Sequence, residues 1–168
     1  MKEQTKIGGI FTYSHIRDGK IIDQWEQPNI VVDEGLNYML DAALSGGSVL
    51  TAWYVGLFKN NYTPISTNVM ATFPGAGVAN EADAELTNTT RPIWTDAGAS
   101  AKVITNTASP AVITFASDIP IYGAFLSSSS VQSGTSGVLL AASKFSAVRN
   151  MLTADQLSIV YSLTISST

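Results

Sequence analysis

The chain has 168 residues, 9 Lys and Arg against 13 Asp and Glu, a net charge of -4 and no cysteine. A chain of this length can bury one core without staples, and the missing thiols exclude disulfides, thiolate metal sites and thiol catalysis. With only 13% charged residues there is no basic stripe to neutralise phosphates, so nucleic acid is not an expected partner.

The first residues, MKEQTK, read as a flexible N-terminal arm, 1–6, ahead of a single β-rich domain spanning 1–168. They carry no apolar run of signal-peptide length, and no segment approaches the ~18 consecutive apolar residues of a membrane span. No membrane partner is expected, and synthesis in a cytoplasm is. From Ile7 to Ile16 the pattern is strand-like. Asp18-Gly19 is the dipeptide that a type I′ hairpin turn prefers, and Lys20 to Gln27 resumes with Ile22 and Trp25.

Residues Asn29 to Gly47, NIVVDEGLNYMLDAALSGG, then introduce helical periodicity. Asp33 is expected to cap the helix, with Glu34 adding favourable charge at the positive end of the dipole. Leu36, Met39, Leu40, Ala43 and Leu44 fall on one face, and Ser45-Gly46-Gly47 ends it. In AWYVGLFK, Trp53, Val55 and Leu57 alternate with Tyr54, Gly56 and Phe58. Apolar residues on both faces predict a central strand.

Residues 60–84 form a long connection with Pro64, Pro74 and Gly75. Such loops are usually functional or mobile, and this one is expected to meet a partner. LTNTTRPIW, AKVITNT, AVITFAS and IPIYGAFLSS follow as short strands, then the polar loop SSSSVQSGTSG, then the strand VLLAASKF. QLSIVYSLTIS closes with Leu157, Ile159, Tyr161, Leu163 and Ile165 on one face. The fold expected is mainly β: an antiparallel β-sandwich, or a barrel-like closure, with one amphipathic helix packed on a sheet.

A search for chemistry leaves little. His15 is the only histidine, and without a Gly-x-Ser-x-Gly elbow it reads as structural. Asp33, Glu34 and Asp41 could supply calcium oxygens, but a cap and a solvated helix face explain them. Glu81, Asp83 and Glu85 could suggest paired-carboxylate hydrolysis, yet clustering in sequence does not set the separation that mechanism needs. Gly8-Gly9, Gly46-Gly47 and Gly75-Ala76-Gly77 precede no lysine and helix, and read as turns. Arg91, beside Pro92, Ile93 and Trp94, either pairs internally with Glu81, Asp83 or Glu85 or stacks against aromatic rings. No catalytic set stands out, so no enzyme activity, cofactor or metal is expected.

Several stretches in order carry a likeness. Asn29-Ile-Val-Val-Asp-Glu-Gly-Leu-Asn-Tyr-Met-Leu-Asp41, Trp53-Tyr-Val-Gly-Leu57, the acidic loop to Glu85, Thr90-Arg-Pro-Ile-Trp94 and Tyr122-Gly-Ala-Phe-Leu126 with its Ser/Gly loop resemble small structural proteins of tailed-bacteriophage virions. The sequence departs from them at Leu86, where an aromatic residue is expected. The resemblance implies a virion role, foremost a head decoration, or cement, protein on the outer surface of the phage head. It also implies the major capsid protein as partner and a homo-oligomer, a trimer first. Lys2, Lys6, Phe11, Tyr62, Phe73, Arg91 and Trp94 are the candidate interface residues, of which Tyr62, Phe73 and Trp94 could equally be core. A tail or baseplate structural protein would share this composition. A carbohydrate-binding module would need Trp25, Trp53 and Trp94 as an exposed platform.

Overall fold

The computed structural model describes residues 4–167. Two antiparallel sheets pack face to face, and neither closes on itself, so the sandwich expectation holds and the barrel does not. β1 (Thr5–Arg17) and β2 (Lys20–Pro28) form the first hairpin, turning through Asp18 and Gly19 at φ 50° and 72°. Those two left-handed residues define the type I′ turn the dipeptide predicts. The register shifts between His15 and Ile16. Ile22 becomes the extra residue of a bulge, and Ile21 and Ile22 both face solvent.

β3 (Ile30–Val31), α1 (Asp33–Leu44) and β4 (Trp53–Phe58) follow, then β5 (Ile93–Trp94), β6 (Val103–Thr105), β7 (Ala111–Thr114), β8 (Ile119–Ser127), β9 (Leu139–Met151) and β10 (Gln156–Ser167). One sheet runs β2-β1-β10-β6, with β7 also on β10; the other runs β3-β9-β8-β4-β5. β10 is buried at Leu157, Ile159, Tyr161 and Leu163, as its alternation predicts, while Ile165 on the same face is exposed because the sandwich has ended. Between β7 and β6 the edge of β10 is completed by a side chain. Asn106 accepts from Tyr161 N at 2.8 Å and donates to Ile159 O at 3.1 Å, standing in for a strand backbone.

β4 is the two-faced strand its composition predicts. Val55 and Leu57 enter the core between the sheets, while Phe58 enters a second cluster with Met70, Phe73 and Phe125 on the outer side of the β8-β4 pair. Gly56 and Gly123 make this second cluster possible. Each stands opposite an aromatic residue, Gly56 by Phe125 and Gly123 by Phe58, and a Cβ at either would overlap that ring. The loop 60–84 roofs the cluster, with Met70 and Phe73 fully buried. The contact it makes is therefore with its own sheet, which corrects the partner reading for Phe73.

The helix differs from expectation in two ways. Val32 occupies the N-cap with no side-chain cap bond, so Asp33 is one residue too late to cap. Glu34 has the structural role: its Oε2 accepts from Met70 N at 2.8 Å and Leu139 N at 2.7 Å, tying the loop and the start of β9 to the helix. The buried face is also rotated. Gly35 lies against the backbone of Leu140, Met39 packs on the core and Tyr38 meets Trp53 edge-on, while Leu40 and Leu44 are 57% and 80% exposed. Only a glycine lets the helix approach the β9 bulge at Leu140 so closely.

Candidate functional site

The first strand and the last continue past the end of the sandwich as a two-stranded ribbon. Thr5 to Gly8 pair with Thr164 to Ser167, beyond the last β2 pair at Ile10 and Pro28. On the far side of β10, β6 pairs only as far as Thr164, and Ile165 N donates to Lys102 O at 3.0 Å. Among the described residues no strand lies beside Thr5 to Gly8 on the β2 side, which leaves that backbone edge open to another extended chain. Thr5 and Lys6 are strand here, which corrects the arm reading for those two; Lys2 and the rest of that segment up to residue 3 lie outside the described residues.

The ribbon's two faces differ. Ile7 and Ile165 are register partners on the face that continues the core, and stand 37% and 42% exposed because no second sheet covers them. The opposite face carries Lys6, Gly8 and Ile10 beside Ser162, Thr164 and Ser166, around a shallow concavity of about 430 Å³. Gly8-Gly9 sits mid-strand, not in the turn expected of it.

The two glycines have different reasons. A Cβ at Gly9 would lie 2.5 Å from the Tyr161 hydroxyl and 2.6 Å from Asn29 Oδ1, so the chain's own packing requires glycine there. A Cβ at Gly8 would meet nothing within 4 Å. Glycine weakens a strand, and inside one it often marks where another backbone comes close. At Gly8 no other described residue supplies that neighbour.

The other candidate interface residues are placed differently. Phe11 is fully buried against Tyr161, ring centroids 4.5 Å apart, and Trp94 is buried with Nε1 donating to Tyr161 O at 3.1 Å. Tyr62 is half-buried, its hydroxyl accepting from Asn68 Nδ2 at 2.8 Å and its ring edge-on to Phe73. Phe11, Phe73 and Trp94 have no surface to offer a partner. Lys6 alone of the described candidates sits fully on the surface and in the ribbon.

Arg91 is buried and makes the internal pair. Its Nε and Nη2 donate to Glu81 Oε1 and Oε2 at 2.7 and 2.6 Å, and Nη1 donates to Ser129 O at 2.8 Å. Ser133 N donates to Glu81 Oε2 at 2.7 Å, so one ion pair joins the long loop to the Ser-rich loop. Lys59 and Glu85 pair beside it at 2.8 Å. The Asp83 carboxyl is held below its ordinary value chiefly by the Ser133 hydroxyl, with Ala84 N and Lys59 adding to it. Sequence spacing offered Glu81, Asp83 and Glu85 equally. Only the fold selects Glu81.

Asp155 forms a second buried ionic centre. It binds Arg17 through Nε at 2.8 Å and Nη2 at 2.7 Å, His15 Nε2 at 2.7 Å and Leu152 N at 2.9 Å. The Arg17 bond holds its carboxyl well below the usual carboxylate range, against the opposing effect of burial. These partners close the base of β1, the β9-β10 turn and the start of β10 together. Sequence reading missed Asp155, since a lone acid in a turn carries no local signal.

The tryptophans do not form a platform. Trp25 has Tyr13 stacked on it at 5.0 Å and the Arg149 guanidinium 4.2 Å from its ring centroid; Trp53 meets Tyr38, and Trp94 is buried. Among the described residues no cluster of three or more His, Cys, Asp or Glu could hold a metal ion, and no helix is long and apolar enough to cross a membrane. Compared with known proteins, the chain matches no family model and no curated protein. A virion reading therefore rests on the residues themselves.

Proposed function

We propose that this chain is a non-enzymatic structural protein of a tailed-bacteriophage virion, a decoration protein that binds the major capsid protein on the outer face of the head. The observation that carries an adhesive role is the ribbon. It has a backbone edge that no other described strand pairs, two register-paired isoleucines outside the core and a glycine whose space no other described residue fills. An extended capsid segment could add to the Thr5–Gly8 edge by backbone hydrogen bonds, with apolar side chains covering Ile7 and Ile165. The two internal ionic centres and the roofed second cluster hold the sandwich rigid behind it. A protein that binds the assembled shell and not free subunits stabilises the shell by linkage. A trimer would multiply each weak contact.

Sedimentation of the purified protein with expanded empty heads and, separately, with isolated tails tests this reading. Saturable binding to heads, lost in Gly8→Glu at an unchanged melting temperature, is the expected result. Binding to tails alone would move the protein to the tail or baseplate, and unaltered head binding by Gly8→Glu and Ile7→Glu would remove the ribbon from the interface.

A further inference from the structure

A separate site lies beneath α1. Gly35 already touches the Leu140 backbone, so the helix cannot settle deeper at its start. Further along, Tyr38 holds it up: its hydroxyl accepts from Leu50 N at 2.6 Å and its ring stands 5.4 Å from Trp53, edge-on. The helix thus spans the end of the sandwich without filling it. A half-open cavity of about 180 Å³ remains, roofed by Tyr38 and Met39, walled by Trp53, Trp94 and Ile104 and floored by Tyr161 and Leu163.

Its lining is almost wholly apolar, and the polar atoms of Trp94, Tyr161 and Tyr38 are bonded to neighbours. Trp94 Nε1 donates to Tyr161 O, the Tyr161 hydroxyl accepts from Asn29 Nδ2 at 3.1 Å, and the Tyr38 hydroxyl is held by Leu50 N. A buried water needs about two to four polar partners, and an apolar cavity of roughly 150 Å³ stays dry and binds benzene. Three kinds of soft surface face the space: indole and phenol rings, aliphatic side chains and the Met39 thioether, which packs well against aromatic edges. An adjoining depression of about 350 Å³ shares Trp53, Trp94 and Ile104 with the cavity and is also lined by Thr51 and Asp96.

We propose that this cavity is a binding site for a small, uncharged, planar apolar molecule of one or two fused aromatic rings, held by shape and dispersion. Its occupation would stiffen α1 against the sandwich, and it is independent of what the ribbon binds.

Indole titrated into the whole protein is the probe, read by melting temperature and by NMR shifts of the Met39 methyl and the Trp53 and Trp94 indole N–H groups. A saturable rise in melting temperature accompanied by shifts at those three residues is expected, with both effects lost in Met39→Phe and Ile104→Phe, which fill the space from two sides. Two fillers guard against one failing to fold. No rise up to the solubility limit of indole would overturn the proposal, as would a rise that persists in both fillers, since that binding would lie elsewhere.

Discussion

Replacing Glu34 with alanine should cost far more than replacing its neighbour Asp33, although both are acids in the first turn of the same helix. Glu34 Oε2 is a charged acceptor for two backbone N–H groups, those of Met70 and Leu139 at 2.8 and 2.7 Å. A hydrogen bond to a charged group contributes about 1.5–3 kcal/mol, and both bonds are partly buried, so the low end applies and their loss sums to about 3 kcal/mol. For a chain of this size each kcal/mol moves the melting temperature by about 2–4 °C, which gives a drop of roughly 6–12 °C for Glu34→Ala. Asp33 is exposed and makes no cap bond. Its remaining contribution is the helix dipole, about 0.3–1 kcal/mol, or a shift of roughly 1–4 °C. Glu34→Gln keeps an oxygen acceptor without the charge and should fall between the two. Calorimetry and urea unfolding at neutral pH measure all three. Equal losses for Glu34→Ala and Asp33→Ala, or a larger one for Asp33, would refute the assignment of the anchoring role to Glu34.

At Gly56 and Gly123, alanine should cost about 1–3 kcal/mol each by overpacking against Phe125 and Phe58. Gly8→Ala, meeting nothing, should be neutral or stabilising, and a matching loss at Gly8 in urea unfolding would contradict the distinction between these positions. Arg91→Met strands the buried Glu81 carboxylate and should cost about 3–5 kcal/mol, whereas adding Glu81→Gln should cost less than the sum of the two single changes. A strictly additive double-mutant cycle would mean the pair is not coupled. The Asp155 carboxyl is depressed in the folded state, so its contribution is fully present above the unfolded-state value of about 3.9 and is lost as pH falls toward the folded one. Wild-type stability should therefore drop more steeply below about pH 4 than that of Asp155→Asn, and parallel curves would exclude this carboxylate as a source of acid lability.

Local patterns alone determined the mainly β class, the Asp18-Gly19 hairpin, the two-faced strand at 53–58 and the alternation of the last strand. Each follows from neighbours a few residues apart in the chain, because pleat and turn geometry act at that range. The helix was legible as a helix, but its orientation was not. Leu40 and Leu44 fit the helical period as well as Tyr38 and Met39 do, and the choice was made by Gly35 meeting the Leu140 bulge, a contact across more than a hundred residues. Long separation likewise hid the pairing of Asp155 with His15 and Arg17 and the role of Asn106 beside β10, while for Arg91 the sequence left three nearby acids to choose from. The candidate site was legible only at Lys6. Phe11, Phe73 and Trp94 are large apolar residues, which composition allows equally to anchor a partner or to fill a core, and burial by the opposite sheet or the 60–84 loop decided for the core. The Gly8-Gly9 doublet held the remaining signal, but telling a glycine required by packing from one left open depends on where Tyr161 and Asn29 stand. Tertiary structure alone brings those residues alongside.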